Sequence, residues 1–322
     1  MQLRSNPAVL GHLGLGTAAA PSVLMTAPRQ ILPGVTYLVT RRCTQRQLLL
    51  RPSADTSAIF LYVLALASRR FGVLVHAFCV LSNHFHLVVS DPDARLPAFE
   101  QYLDSLVARA MNSVLGRWEA FWAPSSYSAV ALAGPEDIVA KIAYVLANPV
   151  AAGLVRRGRD WPGLWSAPER LGTTTLTAPR PSAFFRARGG LPESIELQLA
   201  LPPGFEAAER LQREVSEALD RLERNAEREL TAGGRVFVGA ARVLAQKPTA
   251  APQSQEPRRT LNPRFAARDG RKRREKLSHY VEFLRSYRSA WAARKANIPG
   301  GLFPAGTYLL RVLHGVPCLA PS

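Results

Sequence analysis

Cysteine is scarce in this chain of 322 residues. Cys43, Cys79 and Cys318 are widely spaced and form no CxxC pair, which argues against a zinc ribbon or disulfide framework and fits a reducing cytoplasm. Long hydrophobic runs are also missing. The longest strongly apolar stretch, Ala58–Ala67, is too short to cross a bilayer, so no membrane association is expected. Residues 1–28, rich in Ala, Gly and Leu, only loosely imitate a signal peptide. His12 and several glycines interrupt them, and a disordered or over-extended N-terminus is expected there. No internal repeat is present. No His-Glu-x-x-His motif is present either, which leaves a zinc hydrolase as the weakest reading.

Acidic residues are outnumbered. Against 24 Asp and Glu stand 41 Lys and Arg, a formal net charge of +17 with a pI near 10.8. Nucleic acid is the expected partner of such a chain. The surplus is uneven: residues 251–300 hold 13 basic and 4 acidic residues. Arg heavily outnumbers Lys, which suits forked contacts with phosphate.

With 47% hydrophobic residues the chain can build a core of one large domain or two ordinary ones. Val35–Thr40 follows Pro33-Gly34 and reads as a strand. Ser53 or Asp55 caps a helix running to about Arg69. Val73–Val80 and His84–Val89 read as strands joined by a turn at Leu81-Ser82-Asn83, with Cys79 in the core. A helix over Pro97–Leu115, a strand at Ser128–Leu132 and a helix over Glu136–Ala147 follow, with Pro149 disfavouring helical geometry at Asn148. This order predicts an α+β chain with a ferredoxin-like antiparallel sheet and helices on one face. A charged helix over Phe205–Leu230, a Pro/Gln/Ser linker from Lys247 and a helix opening at Arg271–Arg274 complete the chain. The expected divisions are 1–28, a folded unit at 29–168 whose catalytic character is implied by the resemblance given below, a helical extension at 169–246, a linker at 247–258 and a basic C-terminal region at 259–322.

Two constellations carry chemistry. The first is His84-Phe85-His86. In a strand, residues two apart share a face, so both imidazoles project together and can bind one divalent cation, with a third ligand from elsewhere. A packed or solvated histidine is the ordinary alternative for either. The second is the helix carrying Tyr144. At about 100° per residue, Ile138, Val139, Ile142, Val145 and Leu146 share an arc of roughly 120°. Tyr144 lies away from that arc, beside Asp137, Lys141 and Asn148. A tyrosine hydroxyl is a poor nucleophile at neutral pH, since its pKa is near ~10. A nearby metal that polarises a phosphodiester would offset the developing charge, and Asn148 could add an oxygen ligand. An exposed tyrosine on an amphipathic helix is the plainer reading of that motif alone.

Leu81-Ser82-Asn83-His84-Phe85-His86-Leu87-Val88-Val89 resembles the His-hydrophobic-His signature of single-tyrosine HUH endonucleases. The segment Tyr144-Val145-Leu146-Ala147-Asn148-Pro149-Val150 is similar to the tyrosine helix of their REP-associated transposase branch, and Val35–Arg42 with Gln45-Arg46-Gln47 matches its first strand and loop. The resemblance covers about residues 29–168. It implies cleavage and rejoining of single-stranded DNA, often beside hairpins, with Mg2+ or Mn2+ as cofactor. Tyr144 would attack a phosphodiester, leaving a 5′-phosphotyrosine and a free 3′-hydroxyl, while His84 and His86 hold the metal. Asn148 stands where insertion-sequence relatives carry Gln, and Arg41-Arg42-Cys43-Thr44 replaces a common Arg-Gly-Asn. Arg41, Arg42, Arg46, Lys141 and the cluster Arg271, Lys272, Arg273 and Arg274 are the expected DNA contacts, with Tyr280, Tyr287 and Trp291 as stacking rings. Monomer and homodimer are both compatible with the sequence. The alternative functions are a non-catalytic DNA- or RNA-binding regulator derived from such a transposase.

Overall fold

The computed structural model describes residues 28–124, 127–253 and 263–321, so the expectation for residues 1–28 lies almost wholly outside it. The central sheet runs in the order β2-β3-β1-β4-β7. Its strands are β1 Val35–Arg42, β2 Leu74–Leu81, β3 His84–Asp91, β4 Ser128–Leu132 and β7 Phe265–Ala266. The first four pair antiparallel and β7 joins β4 in parallel. With α1 Ala54–Phe71 and α2 Leu96–Leu115 in the connections, this is the expected split β-α-β arrangement. Local chemistry sets the helix starts. The Ser53 hydroxyl accepts from the Thr56 amide at 3.0 Å and caps α1. The Asp91 carboxylate accepts from the Arg95 and Leu96 amides at 2.8 and 2.7 Å at the start of α2.

The helices do not all share one face. α1 and α2 cover one side, burying Tyr37, Val39, Phe85, Leu87 and Val89. α3, Pro135–Ala151, and α4, Ala208–Ala232, cover the other, over Leu38, Cys79, Leu81 and Val88. The cause is in the strands: β2 and β3 are apolar at successive positions, and a strand without alternation must be covered on both faces. α3 also continues through Pro149 to Ala151, past the expected stop. Burial of Pro149 and Val150 outweighs the missing amide donor.

The region beyond residue 168 is not purely helical. β5 Thr175–Pro179 and β6 Ser194–Gln198 form an antiparallel ribbon whose Ala178, Ile195 and Leu197 join the core under α1. These strands alternate exposed and buried residues, a pattern too short to stand out from its Pro- and Gly-rich flanks. α5, Ala240–Ala245, follows α4. α6, Gly270–Lys295, is capped by the Asp269 carboxylate, which accepts from the Arg271 and Lys272 amides at 2.6 and 3.1 Å. α6 and the short α7, Leu309–His314, accompany a small cluster of Ala290, Phe303 and Val316. This region is bonded to the sheet and to the segment before β1: the Ala131 amide donates to Arg264 O, and the Ile31 amide to Gly306 O. No helix among the described residues is long and apolar enough to cross a membrane.

Candidate functional site

β3 begins at His84, and its alternation sends His84, His86 and Val88 toward α3 while Phe85 and Leu87 enter the α1/α2 core. Phe85 anchors the strand, edge-on to Phe60 at 5.1 Å and Trp122 at 5.6 Å. On the opposite face the two imidazoles stand together, ring centroids 4.8 Å apart and nearly perpendicular. His86 is nearly buried; its Nδ1 lies 2.7 Å from Thr40 Oγ1 on β1, the register partner of His86. His84 Nδ1 lies 2.7 Å from Asn83 Oδ1. A carboxamide oxygen can only accept, so this contact suits the neutral tautomer with the proton on Nδ1 of His84, which would leave the Nε2 lone pair that a cation requires.

Tyr144 reaches the pair from α3. Its ring centroid is 5.6 Å from that of His86, and the residue remains 43% exposed. The Lys141 ammonium lies 5.3 Å from the centre of the Tyr144 ring. The structure therefore brings together a phenol, two imidazoles and an ammonium. Asn148 engages its amide nitrogen and not the oxygen that would serve as a ligand. It is mostly buried, and its Nδ2 donates to Tyr144 O at 3.1 Å, tying the carboxamide to its own helix. Asp137, expected on the same polar side, is buried and accepts from the Arg268 amide at 2.7 Å.

The donor set suits a divalent cation in part. Two adjacent imidazoles are good ligands, but no group of three His, Cys, Asp or Glu occurs among the described residues. Completion of a shell must come from the Asn148 carboxamide oxygen, water or substrate phosphate.

The expected DNA contacts separate. Arg42 is the register partner of His84, so it rises on the face of the site. Arg41 points to the other side of the sheet, where it pairs with Asp104 at 3.2 Å and lies over the Trp122 ring at 5.8 Å. That position fits a structural cation rather than a phosphate contact; alternation along β1 puts the two arginines on opposite faces, and the register with β3 decides which one faces the site. Arg46 lies in the loop after β1, its carbonyl accepting from Asn83 Nδ2 at 3.2 Å, beside the histidine strand. Gln45 and Arg46 both take positive φ values, 48° and 59°, a costly conformation for non-glycine residues that the surrounding bonds hold. Arg271 to Arg274 form the first turn of α6. Lys272 Nζ lies 3.8 Å from Glu136 at the start of α3, and Glu136 is about 12 Å along the helix axis from Tyr144. Tyr287 packs edge-on to Phe303 at 5.5 Å, so it is a packing ring rather than an open one.

Sequence reasoning missed Thr40 and Asn83, which orient the two imidazoles. Thr40 becomes visible only with the β1–β3 register, whereas Asn83 was legible as the neighbour of His84. The third histidine of this hairpin, His76, belongs to the core. Its Nδ1 meets Ala200 O at 2.8 Å and its Nε2 meets Ser90 Oγ at 2.7 Å, while burial pushes its pKa down to about 4.

No protein-family model matches the sequence, and no curated protein matches it. Among solved structures, a REP-associated tyrosine transposase bound to a REP hairpin is similar at 20% identity and a TM-score of 0.37, over 44% of this chain and 81% of that one. A presumptive transposase from Deinococcus radiodurans R1 is similar at 20% identity and a TM-score of 0.28, over 38% of this chain and 97% of that one.

Proposed function

We propose that this chain is a transposase-type endonuclease that cleaves and rejoins single-stranded DNA through a covalent 5′-phosphotyrosine. The observation that carries the reading is the meeting of Tyr144 with His86 at a ring separation of 5.6 Å, with the His84 ring 4.8 Å from that of His86, from elements about sixty residues apart. Tyr144 is the nucleophile. Its phenolic oxygen forms a bond to phosphorus as the bond to the 3′-oxygen breaks; the phenol loses one proton and the departing 3′-oxygen gains one. The phosphotyrosine conserves the energy of the phosphodiester, so a 3′-hydroxyl can later reverse the step. His84 and His86 hold Mg2+ or Mn2+, with Asn148 as a candidate oxygen ligand. When bound, the ion polarises the phosphate and offsets charge on its oxygens. Lys141 and Arg42 add positive charge beside the same phosphate. A target flanked by hairpins, and the REP-associated branch of the family, follow from the motif resemblance.

The test is an adduct assay. Labelled single-stranded oligonucleotides spanning the palindromes around the gene are incubated with the full chain, with and without Mn2+, and run on a denaturing gel. A metal-dependent band of DNA joined to protein is expected, lost in Tyr144→Phe and in His84→Ala/His86→Ala, and lost on chelation. DNA binding with no adduct under any metal would reduce the chain to a non-catalytic DNA-binding regulator. A preference for matched RNA would point to an RNA-binding one. Cleavage that survives Tyr144→Phe would identify a different nucleophile.

A further inference from the structure

Trp118 is 94% exposed, the most open of the large hydrophobic side chains among the described residues. An indole left in water forgoes a large burial energy, and Trp is among the side chains most often found inside interfaces. Looseness of the segment does not account for it. The Arg117 amide donates to Asn112 O at 2.8 Å, and Asn112 Nδ2 donates to Glu119 O at 2.9 Å. Arg117 donates from its guanidinium to Gln47 Oε1 at 2.8 Å. Beyond the indole, the Thr44 amide donates to Phe121 O at 2.9 Å and the Ala123 amide to Arg42 O at 2.8 Å. Trp122 Nε1 donates to Asp104 O at 2.8 Å. The backbone on both sides of Trp118 is pinned while its ring stays in solvent.

The pins also fix its location. The loop after α2 is sewn to the loop after β1, through Arg42, Thr44 and Gln47. Arg42 is the register partner of His84, and the Cys43 amide donates to Asn83 O at 2.8 Å. Trp118 therefore lies in a loop bonded to the end of the sheet where His84 stands, on the α2 side, and that loop is tied to the segment that holds the exposed Gln45 and the left-handed Arg46.

We propose that Trp118 is a stacking platform for an unpaired base of the single-stranded substrate, holding the strand at the rim of the His84–His86–Tyr144 site. This rests on the endonuclease reading given above. A nucleobase is the ligand this surface fits: every base offers a π-face, and the surrounding charge is positive. The acid of the loop, Glu119, is held by Arg117 at 3.5 Å and by the Trp118 amide at 3.3 Å. A second copy of the chain is the poorer occupant, because each copy carries a net charge of +17.

The experiment measures binding separately from cleavage. Fluorescence anisotropy compares a labelled DNA hairpin with a single-stranded flank against the same hairpin with a blunt end. The proteins are full-length chains in a Tyr144→Phe background, which stops turnover. Trp118→Ala should weaken the flanked hairpin about tenfold, the scale of one base stack, and leave the blunt hairpin unchanged. Trp118→Phe should recover most of the loss, and binding of the flanked hairpin should quench emission that Trp118→Phe lacks. Unchanged melting of Trp118→Ala verifies the fold. Equal affinity of Trp118→Ala and its parent for the flanked hairpin overturns the platform, as does an equal loss on both hairpins. Self-association of the parent that Trp118→Ala abolishes overturns it in favour of a protein interface. Adduct formation by the Tyr144 chain with no effect of Trp118→Ala removes the platform alone. A Trp118-dependent flank preference without any adduct removes the endonuclease reading alone, and absence of binding to any oligonucleotide removes both.

Discussion

Phe85 separates two environments within one turn of strand. Its ring is fully buried against Phe60 and Trp122, while the residues on either side carry the imidazoles of the site. Removing that ring should cost about 3–5 kcal/mol and free β3 to shift. Phe85→Ala is thus expected to lower the urea midpoint strongly and to lose adduct formation with it, whereas Phe85→Leu keeps most of both. His76 shows how a histidine in the same hairpin serves the fold instead. Folding lowers its pKa to about 4 from 6.5, because burial disfavours the charged ring. The unfolded chain binds a proton in that window which the folded chain refuses, so stability is intact above pH 6.5 and lost as pH falls toward 4. At 1.4 kcal/mol per unit the loss approaches roughly 3 kcal/mol. The buried Glu100 and Asp104 carboxyls, both pushed up by burial, act with the opposite sign. The readout is therefore a difference: the fall in melting midpoint between pH 7 and 4.5 should be smaller in His76→Gln than in the parent.

The position of α3 determines whether Tyr144 reaches the histidines. Its second half is held from outside the sheet. Trp165 Nε1 donates to Leu146 O at 2.9 Å, and the Trp161 to Ser166 segment lies along the β2 edge, bonding Val80 and Phe78. α4 packs Leu211, Val215 and Leu219 into the same cluster as Ile142 and Leu146. The Glu223 carboxylate of α4 accepts from the Gly158 amide at 2.7 Å. A Cβ on Gly158 would lie 2.8 Å from both Leu146 O and the Trp165 ring. Gly158→Ala should therefore cost about 1–3 kcal/mol and reduce adduct yield through α3, although the residue touches no substrate. A urea titration alongside the adduct assay checks it; unchanged stability would show that the junction relaxes freely. Helix periodicity revealed α3 and its apolar face in advance. It could not reveal this clamp, which depends on contacts with partners up to 88 residues away.

At the scale of the molecule, positive charge and site lie apart along the chain and meet through docking. The Arg271 to Arg274 turn is placed near α3 by the pairing of β7 with β4, the Arg268 amide on Asp137 and Lys272 near Glu136. If those four cations contact single-stranded phosphates, replacing them with Ala should flatten the dependence of log affinity on log salt by about 3. Anisotropy titrations over a salt series measure this. An unchanged slope would leave the cluster as solvated charge on a packing helix. The cluster and the helix that it opens were legible in the sequence; its direction relative to Tyr144 was not.

The sequence by itself determined the order of strands and helices from β1 to α3, the hairpin that pairs His84 with His86 on one face, and the separation of Tyr144 from the apolar arc of its helix. These follow from local periodicity, turn chemistry and caps, which act over a few residues. Only the tertiary structure decided which face α3 covers, that Arg41 turns inward to Asp104 while Arg42 stays beside His84, and that Asn148 bonds its own helix. It also decided that Trp118 stands pinned and open at the end of the sheet. Each of those outcomes depends on burial and cross-strand register, which are set when distant segments compete for the same core rather than by any residue's neighbours in the chain.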